Sequence, residues 1–233
     1  MSASGPALHL LYGGTFDPIH LGHLAVARAA LSTTSAAHLD FLPAADPPHR
    51  AAPGASFPDR VALLRAALAS EPAPAVGRWG VDTRENRRLS PSYTVDTLRE
   101  WRREHGDAAP LGFVLGADAF LGLTGWREWP ALFELAHLLV ARRPGSALQP
   151  LPPELDAATA GRWAGGASPA RHIDDLHAAP AGRVLVIDLP LRPESATAVR
   201  AALGASAHSV DGLPAAVAAL IAARGLYRDA APG

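Results

Sequence analysis

The stretch GGTFDPIHLGH, residues 13–23, sets two adjacent glycines ahead of two histidines three positions apart. Adjacent glycines let a bulky ligand approach the backbone. A helix starting just after them presents unpaired N–H groups and the positive end of its dipole. The spacing predicts a turn GGTFDPI after a strand ending at Tyr12, then a helix from about His20 with His20 and His23 on one side of its first turn. Both imidazoles can then donate hydrogen bonds to phosphoryl oxygens, so the turn reads as an anion cradle in which neither histidine has to be a base. A metal site is a competing reading of His-x-x-His, although no Glu or His at ligand spacing supplies the remaining donors. Histidines that merely cap a turn are a third. The fingerprints G-x-G-x-x-G and G-x-x-x-x-G-K-[ST] are both absent, which argues against a dinucleotide-binding dehydrogenase and a P-loop kinase.

Composition narrows the chemistry further. The 233 residues include no cysteine, which excludes disulfides and thiolate ligands and suits a reducing cytoplasm. The N-terminal MSASGPALHLLYGG lacks the regions of a signal peptide, and no apolar run is long enough to span a membrane, so a cytoplasmic protein is expected. With a net charge of -1, neither nucleic acid nor membrane is expected as a partner. All 21 basic side chains are arginine. Any phosphate must therefore be met by Arg, His and backbone N–H groups.

These residues need elements to position them. The apolar runs 8–12, 38–42, 111–116, 136–141 and 183–189 read as strands buried on both faces. Between them, Leu21, Leu24, Ala27 and Leu31 share a helical face, as do Val61, Leu64 and Leu68, the second helix opened by a capping box at Ser56 and Asp59. A third helix is expected from about Ser92 to His105, with Gly106 as its stop. The alternation predicts an α/β fold, a doubly wound, Rossmann-like parallel sheet with ligand sites at the carboxyl ends of its strands. The whole chain, 1–233, is expected to form a single domain. Residues 144–182 lack a clear period and are expected to make a surface excursion, with a short helix near 155–163; within them, 146–182 reads as an insertion. A closing helix between Pro214 and Gly225 belongs to a C-terminal helical part, 194–233. A homo-oligomer is compatible with all of this.

GGTFDPIHLGH resembles the signature of the nucleotidyltransferase superfamily that includes the class I aminoacyl-tRNA synthetases, in which an H-x-G-H segment binds ATP phosphates. Within it the chain is similar to bacterial nicotinate mononucleotide adenylyltransferases. LPAADPPHR (42–50), SPSYTVDTLREW (90–101), FVLGADAF (113–120), WREW (126–129), ARRPG (141–145), SATAVR (195–200) and GLYR (225–228) agree in order, most weakly across 146–182. The resemblance implies adenylyl transfer from ATP to nicotinate mononucleotide, a late step of NAD biosynthesis, with Mg²⁺ held by ATP phosphates and no dedicated metal ligands. Nicotinamide mononucleotide as acceptor, or a non-catalytic nucleotide-binding protein of the same fold, are the alternatives.

Residue by residue, the resemblance implies that Gly13, Gly14, Thr15 and Phe16 form the ATP loop, with His20, His23 and Arg200 as catalytic contacts to its phosphates. Gly116 and Asp118 join the ATP site, Asp118 also accepting from ribose hydroxyls, with a helix N-cap as its ordinary alternative. Ser195 and Thr197 would face the phosphates, or simply cap a helix; Glu194 stands where the family usually has Ile. For the acceptor, the resemblance implies backbone amides near Tyr93 and Thr94 on the nicotinate carboxylate, Trp126 stacked on the pyridine, the Arg127 amide nearby and Arg50 on phosphate. Trp101 and Trp129 read as core, and Arg84, Arg87 and Arg88 as a solvated face.

Overall fold

A computed structural model describes residues 7–46, 52–88, 91–145, 147–164, 169–189, 194–205 and 210–228. Among them, six parallel strands form one sheet: β1 (His9–Gly14), β2 (His38–Pro43), β3 (Arg78–Val81), β4 (Leu111–Gly116), β5 (His137–Arg142) and β6 (Val184–Asp188). Their order is β3-β2-β1-β4-β5-β6, so the winding reverses between β1 and β4. Helices pack on both faces: α1 (Leu21–Thr34), α2 (Phe57–Ser70), α3 (Thr94–His105), α4 (Ala117–Leu121), α5 (Leu132–Leu135), α6 (Pro153–Thr159), α7 (Pro169–Ala178), α8 (Ala196–Gly204) and α9 (Ala215–Arg224).

The two-residue period of the strands divides the core. Leu10, Val114, Leu139 and Leu185 face one layer, with Leu24 of α1, Leu64 of α2 and Ile221 of α9. Their neighbours Leu11, Phe113, Leu138 and Val184 face the other, with Leu98 of α3, Leu132 of α5 and Leu155 of α6. Burial on both faces is why these strands are near-continuous apolar runs in sequence.

Several expected boundaries shift. β1 runs on through Gly13 and Gly14, which pair with Leu42 and Pro43, so the two glycines end the strand rather than begin the turn. β3 was not expected: RWGV is short, at the sheet edge, and largely unburied. The stretch expected to be a surface excursion instead folds inward, because Leu148, Leu151, Leu155 and Leu176 are buried, and it carries α7 as well as α6. The His177 ring of α7 donates to the Thr34 carbonyl at 2.9 Å, tying that helix to the end of α1. Ser56 caps α2 as expected, accepting from the Asp59 amide. Gly106 ends α3 at φ +87°.

Candidate active site

A cleft of about 1120 Å³ opens at the carboxyl ends of the central strands, where the winding reverses. Gly13, Gly14, Thr15 and Phe16 line it. The two glycines are required by packing: a Cβ on Gly13 would lie 2.6 Å from the Phe113 ring, and one on Gly14 would lie 2.8 Å from the Phe16 ring. Phe16 holds a left-handed φ of 50°, costly for a side chain of its size. Its ring is fully buried against Tyr12, Phe41 and His23, and that burial offsets the strain.

The loop is anchored from beneath. The Asp17 carboxylate, 5% exposed, accepts from the Gly54 amide at 2.7 Å, the Ala55 amide at 3.1 Å and the Tyr227 hydroxyl at 2.7 Å. Burial and the Asp17 bond push the Tyr227 phenol well above its ordinary pKa, so it remains a donor. The Asp17 carbonyl accepts from Arg200 at 2.7 Å. The buried guanidinium of Arg60 donates to the Thr15 carbonyl at 2.6 Å and the Ala44 carbonyl at 2.7 Å. Sequence reasoning missed Asp17, Arg60 and Tyr227, since each acts through partners remote in the chain.

The two histidines occupy different places. His20 is the N-cap of α1, 1% exposed, and its ring lies 3.7 Å from that of His23, centroid to centroid. His23 lines the cleft; His20 does not, and instead lies behind it, so the expected pair of imidazoles facing ligand becomes one, backed by the other. The His23 Nδ1 accepts from the His20 amide at 3.3 Å, which leaves Nε2 to carry the proton of the neutral ring. Gly22 leaves room for this contact, because a Cβ there would lie 3.0 Å from the His20 ring. Burial lowers the His20 pKa to about 4, helped by the Arg143 charge and opposed by Glu194. Burial, His20 and Arg143 hold His23 well below its ordinary value too. Both rings are neutral near pH 7.

Arg143, just past β5, lines the cleft with Thr197 and Arg200 of α8. Its role was not expected, although it sits in the quoted ARRPG. Ser195 is the N-cap of α8, accepting from the Ala198 amide at 3.1 Å, and does not line the cleft; the cap alternative holds for it. Glu194 packs its Cγ against Gly212, away from the cleft lining, where the absence of a Cβ at φ +86° leaves it room. Asp118 lines the cleft from the first turn of α4, whose N-cap is Gly116, so Asp118 is not the cap.

The acceptor residues gather around an aromatic recess. Tyr93, Thr94, Phe113, Trp126 and Arg127 all line the cleft. Trp126 meets Phe113 edge to face at 6.5 Å, and the Arg127 guanidinium lies 4.9 Å over the Tyr93 ring. The Tyr93 amide is already committed to the Pro91 carbonyl at 3.0 Å, which corrects its expected part as a donor to ligand. The Thr94 amide opens α3 and has no intrahelical acceptor. Glu85, also unexpected, lines this part of the cleft, one oxygen accepting from Thr97 at 2.8 Å and the other buried without a hydrogen-bond partner among the described residues. Arg84, Arg87 and Arg88 stay out of the cleft lining, but Arg84 is 6% exposed and paired with Asp82 and Glu104 rather than solvated. Trp101 is core as expected, whereas Trp129 is only half-buried. Arg50 lies outside the described residues.

The chain is similar to known proteins. A cytidylyltransferase-like family model matches residues 11–202. A Stenotrophomonas maltophilia protein named "Probable nicotinate-nucleotide adenylyltransferase" is 50% identical over 227 residues, covering 97% of this chain and 99% of the relative. One of the same name from Cronobacter sakazakii is 43% identical, covering 97% and 98%. The fold is that of Plasmodium falciparum nicotinic acid mononucleotide adenylyltransferase complexed with NaAD, at a TM-score of 0.69 and 14% identity over 95% of this chain and 97% of that one. The chain belongs to the cytidylyltransferase-like family and, within it, to the nicotinate-nucleotide adenylyltransferases.

Proposed function

We propose that the cleft transfers the adenylyl group of ATP to nicotinate mononucleotide, giving nicotinate adenine dinucleotide and pyrophosphate, in the cytoplasm. The observation that carries the reading is His23, a neutral imidazole whose proton sits on Nε2, lining the cleft together with the glycine loop. Glycines and a helix N-terminus suit a triphosphate, and Arg143, Arg200 and His23 supply the donors that meet its charge. The acceptor phosphate is already an anion, so no general base is needed. Catalysis then consists of aligning the two phosphates in line and stabilising charge on the transferring phosphoryl group.

At the other end of the cleft, Trp126 and Phe113 suit a flat pyridine, and the Thr94 amide at the start of α3 suits its carboxylate. Asp118 is an acceptor suited to ribose hydroxyls. Among the described residues three carboxylates line the cleft, and Asp17 is fully engaged by protein donors. That donor set fits Mg²⁺ carried on ATP oxygens rather than held in a protein cage. The ion would neutralise phosphate charge.

The test is a panel of acceptors with ATP, read by pyrophosphate release. Nicotinate mononucleotide is expected to give the highest kcat/KM, with nicotinamide mononucleotide lower because an amide cannot repay the Thr94 donor as a carboxylate does. Equal values for the two would remove the acceptor assignment, and binding without turnover would remove the reaction.

A further inference from the structure

The amino edge of the sheet carries a second histidine cluster, remote from the cleft. His9 opens β1 and His38 opens β2, and the two are register partners on adjacent parallel strands. Asp40 follows two residues after His38 and so projects to the same face. The His9 Nε2 donates to Asp40 Oδ2 at 2.9 Å and the His38 Nε2 donates to Asp40 Oδ1 at 3.0 Å. The two imidazole centroids lie 4.9 Å apart. All three side chains are partly exposed, at 21%, 31% and 19%, so the cluster opens to solvent.

The geometry points to a divalent transition-metal site formed by His9, His38 and Asp40. One donor atom from each lies within 4.8 Å of the other two. Zinc binds imidazole nitrogen and carboxylate oxygen at roughly 2.0–2.2 Å, which asks donors to stand roughly 3.3–3.5 Å apart, a closure that torsions of half-exposed side chains supply. Two nitrogens and one oxygen suit zinc, cobalt or nickel better than magnesium or calcium. Each Nε2 takes the ion once its own proton has left that nitrogen, and water fills the remaining position.

The surroundings are built to leave this space. Gly80 of β3 is paired with Asp40, and a Cβ there would lie 2.4 Å from Asp40 Oδ1. Beside His9 stand the Trp101 ring, 5.5 Å away, and the His105 ring, 6.2 Å away, the latter stacked on Trp101. The site joins the first residues of two central strands, where a bound ion acts as a structural clamp. No local motif announces it, since its residues stand at 9, 38 and 40 in the chain.

The test uses the full chain without a histidine tag, stripped by chelator and dialysed against Zn²⁺, with bound metal quantified. One ion per chain is expected, with a zinc-dependent rise in melting temperature and visible ligand-field bands when Co²⁺ replaces it. His38→Gln and Asp40→Asn are each expected to weaken binding about tenfold or more. Both should retain pyrophosphate release, which separates loss of a ligand from loss of the fold. His23→Ala should bind zinc as the parent does. Absence of saturable zinc binding, equal affinity in parent and both variants, or loss of the ion in His23→Ala would each overturn the assignment.

Discussion

The two edges of one sheet use the same side chains for different ends. At the carboxyl edge, the His20 and His23 rings lie 3.7 Å apart, tilted by 30°, and the Asp17 nearby is engaged by Gly54, Ala55 and Tyr227. At the amino edge, His9 and His38 both bond one carboxylate, that of Asp40. Imidazoles that are buried and face the Arg143 charge, which the Glu194 carboxylate offsets only in part at His20, stay neutral and offer N–H groups to an incoming anion. Imidazoles that share a carboxylate offer, together with it, three donors to a cation. The charge that faces each pair, Arg143 at one edge and Asp40 at the other, sets the sign of the ligand that it suits.

The comparison breaks most readily at His23. His23→Ala is expected to lower kcat by about a hundred- to a thousandfold, the loss of about 2.7 to 4 kcal/mol for one donor to developing charge. His38→Gln, at the other edge and sharing no partner with the cleft, should leave kcat within about twofold. Comparable losses in both variants would erase the distinction between the edges.

Acid sharpens the contrast by a smaller amount. His20 and the buried His137 each titrate near about 4 in the folded chain, below the ordinary 6.5, chiefly through burial. Between those values the unfolded chain binds more protons, so stability is full above about pH 6.5 and falls as pH drops towards about 4. At pH 5 the loss is about 2 kcal/mol per histidine, readable by chemical denaturation. Asp40 acts in the same direction but in a lower window: burial raises its pKa, but hydrogen bonds and charge from His9 and His38 outweigh that and lower it. Its contribution is present above the ordinary 3.8 and is lost only below it, outside the histidine window. Between pH 8 and pH 6 the pH dependence of turnover should follow the substrate phosphates, which change charge near about pH 6, with no further step from the catalytic-edge imidazoles. A further step that disappears in His23→Ala would mean that His23 is not held neutral.

What sequence reveals here depends on how local the physics is. The five expected strands are apolar runs because their residues are buried on both faces, whereas β3, RWGV at the edge, has no such signature. His23 was legible because glycines, helix start and histidine fall within eleven residues, whereas Trp126 was legible only through the family resemblance of WREW. The placing of His20 behind His23 was not, because it depends on a rotamer that Gly22 permits. The anchoring of the loop was not legible either. Tyr227 reaches Asp17 across 210 residues and Arg60 reaches Thr15 across 45, distances at which residue type carries no pairing information. Ser195 and Tyr93 have the expected residue types in the expected places, yet their polar groups are spent on a helix cap and a tight turn.

The central claim is that the glycine loop and His23 hold the triphosphate. The most direct measurement is a crystal structure with a non-hydrolysable ATP analogue. The account predicts phosphate density along Gly13 to Phe16, within hydrogen-bond reach of the His23 Nε2 and of Arg143 or Arg200. Phosphate density elsewhere, with the loop and His23 untouched, would contradict it.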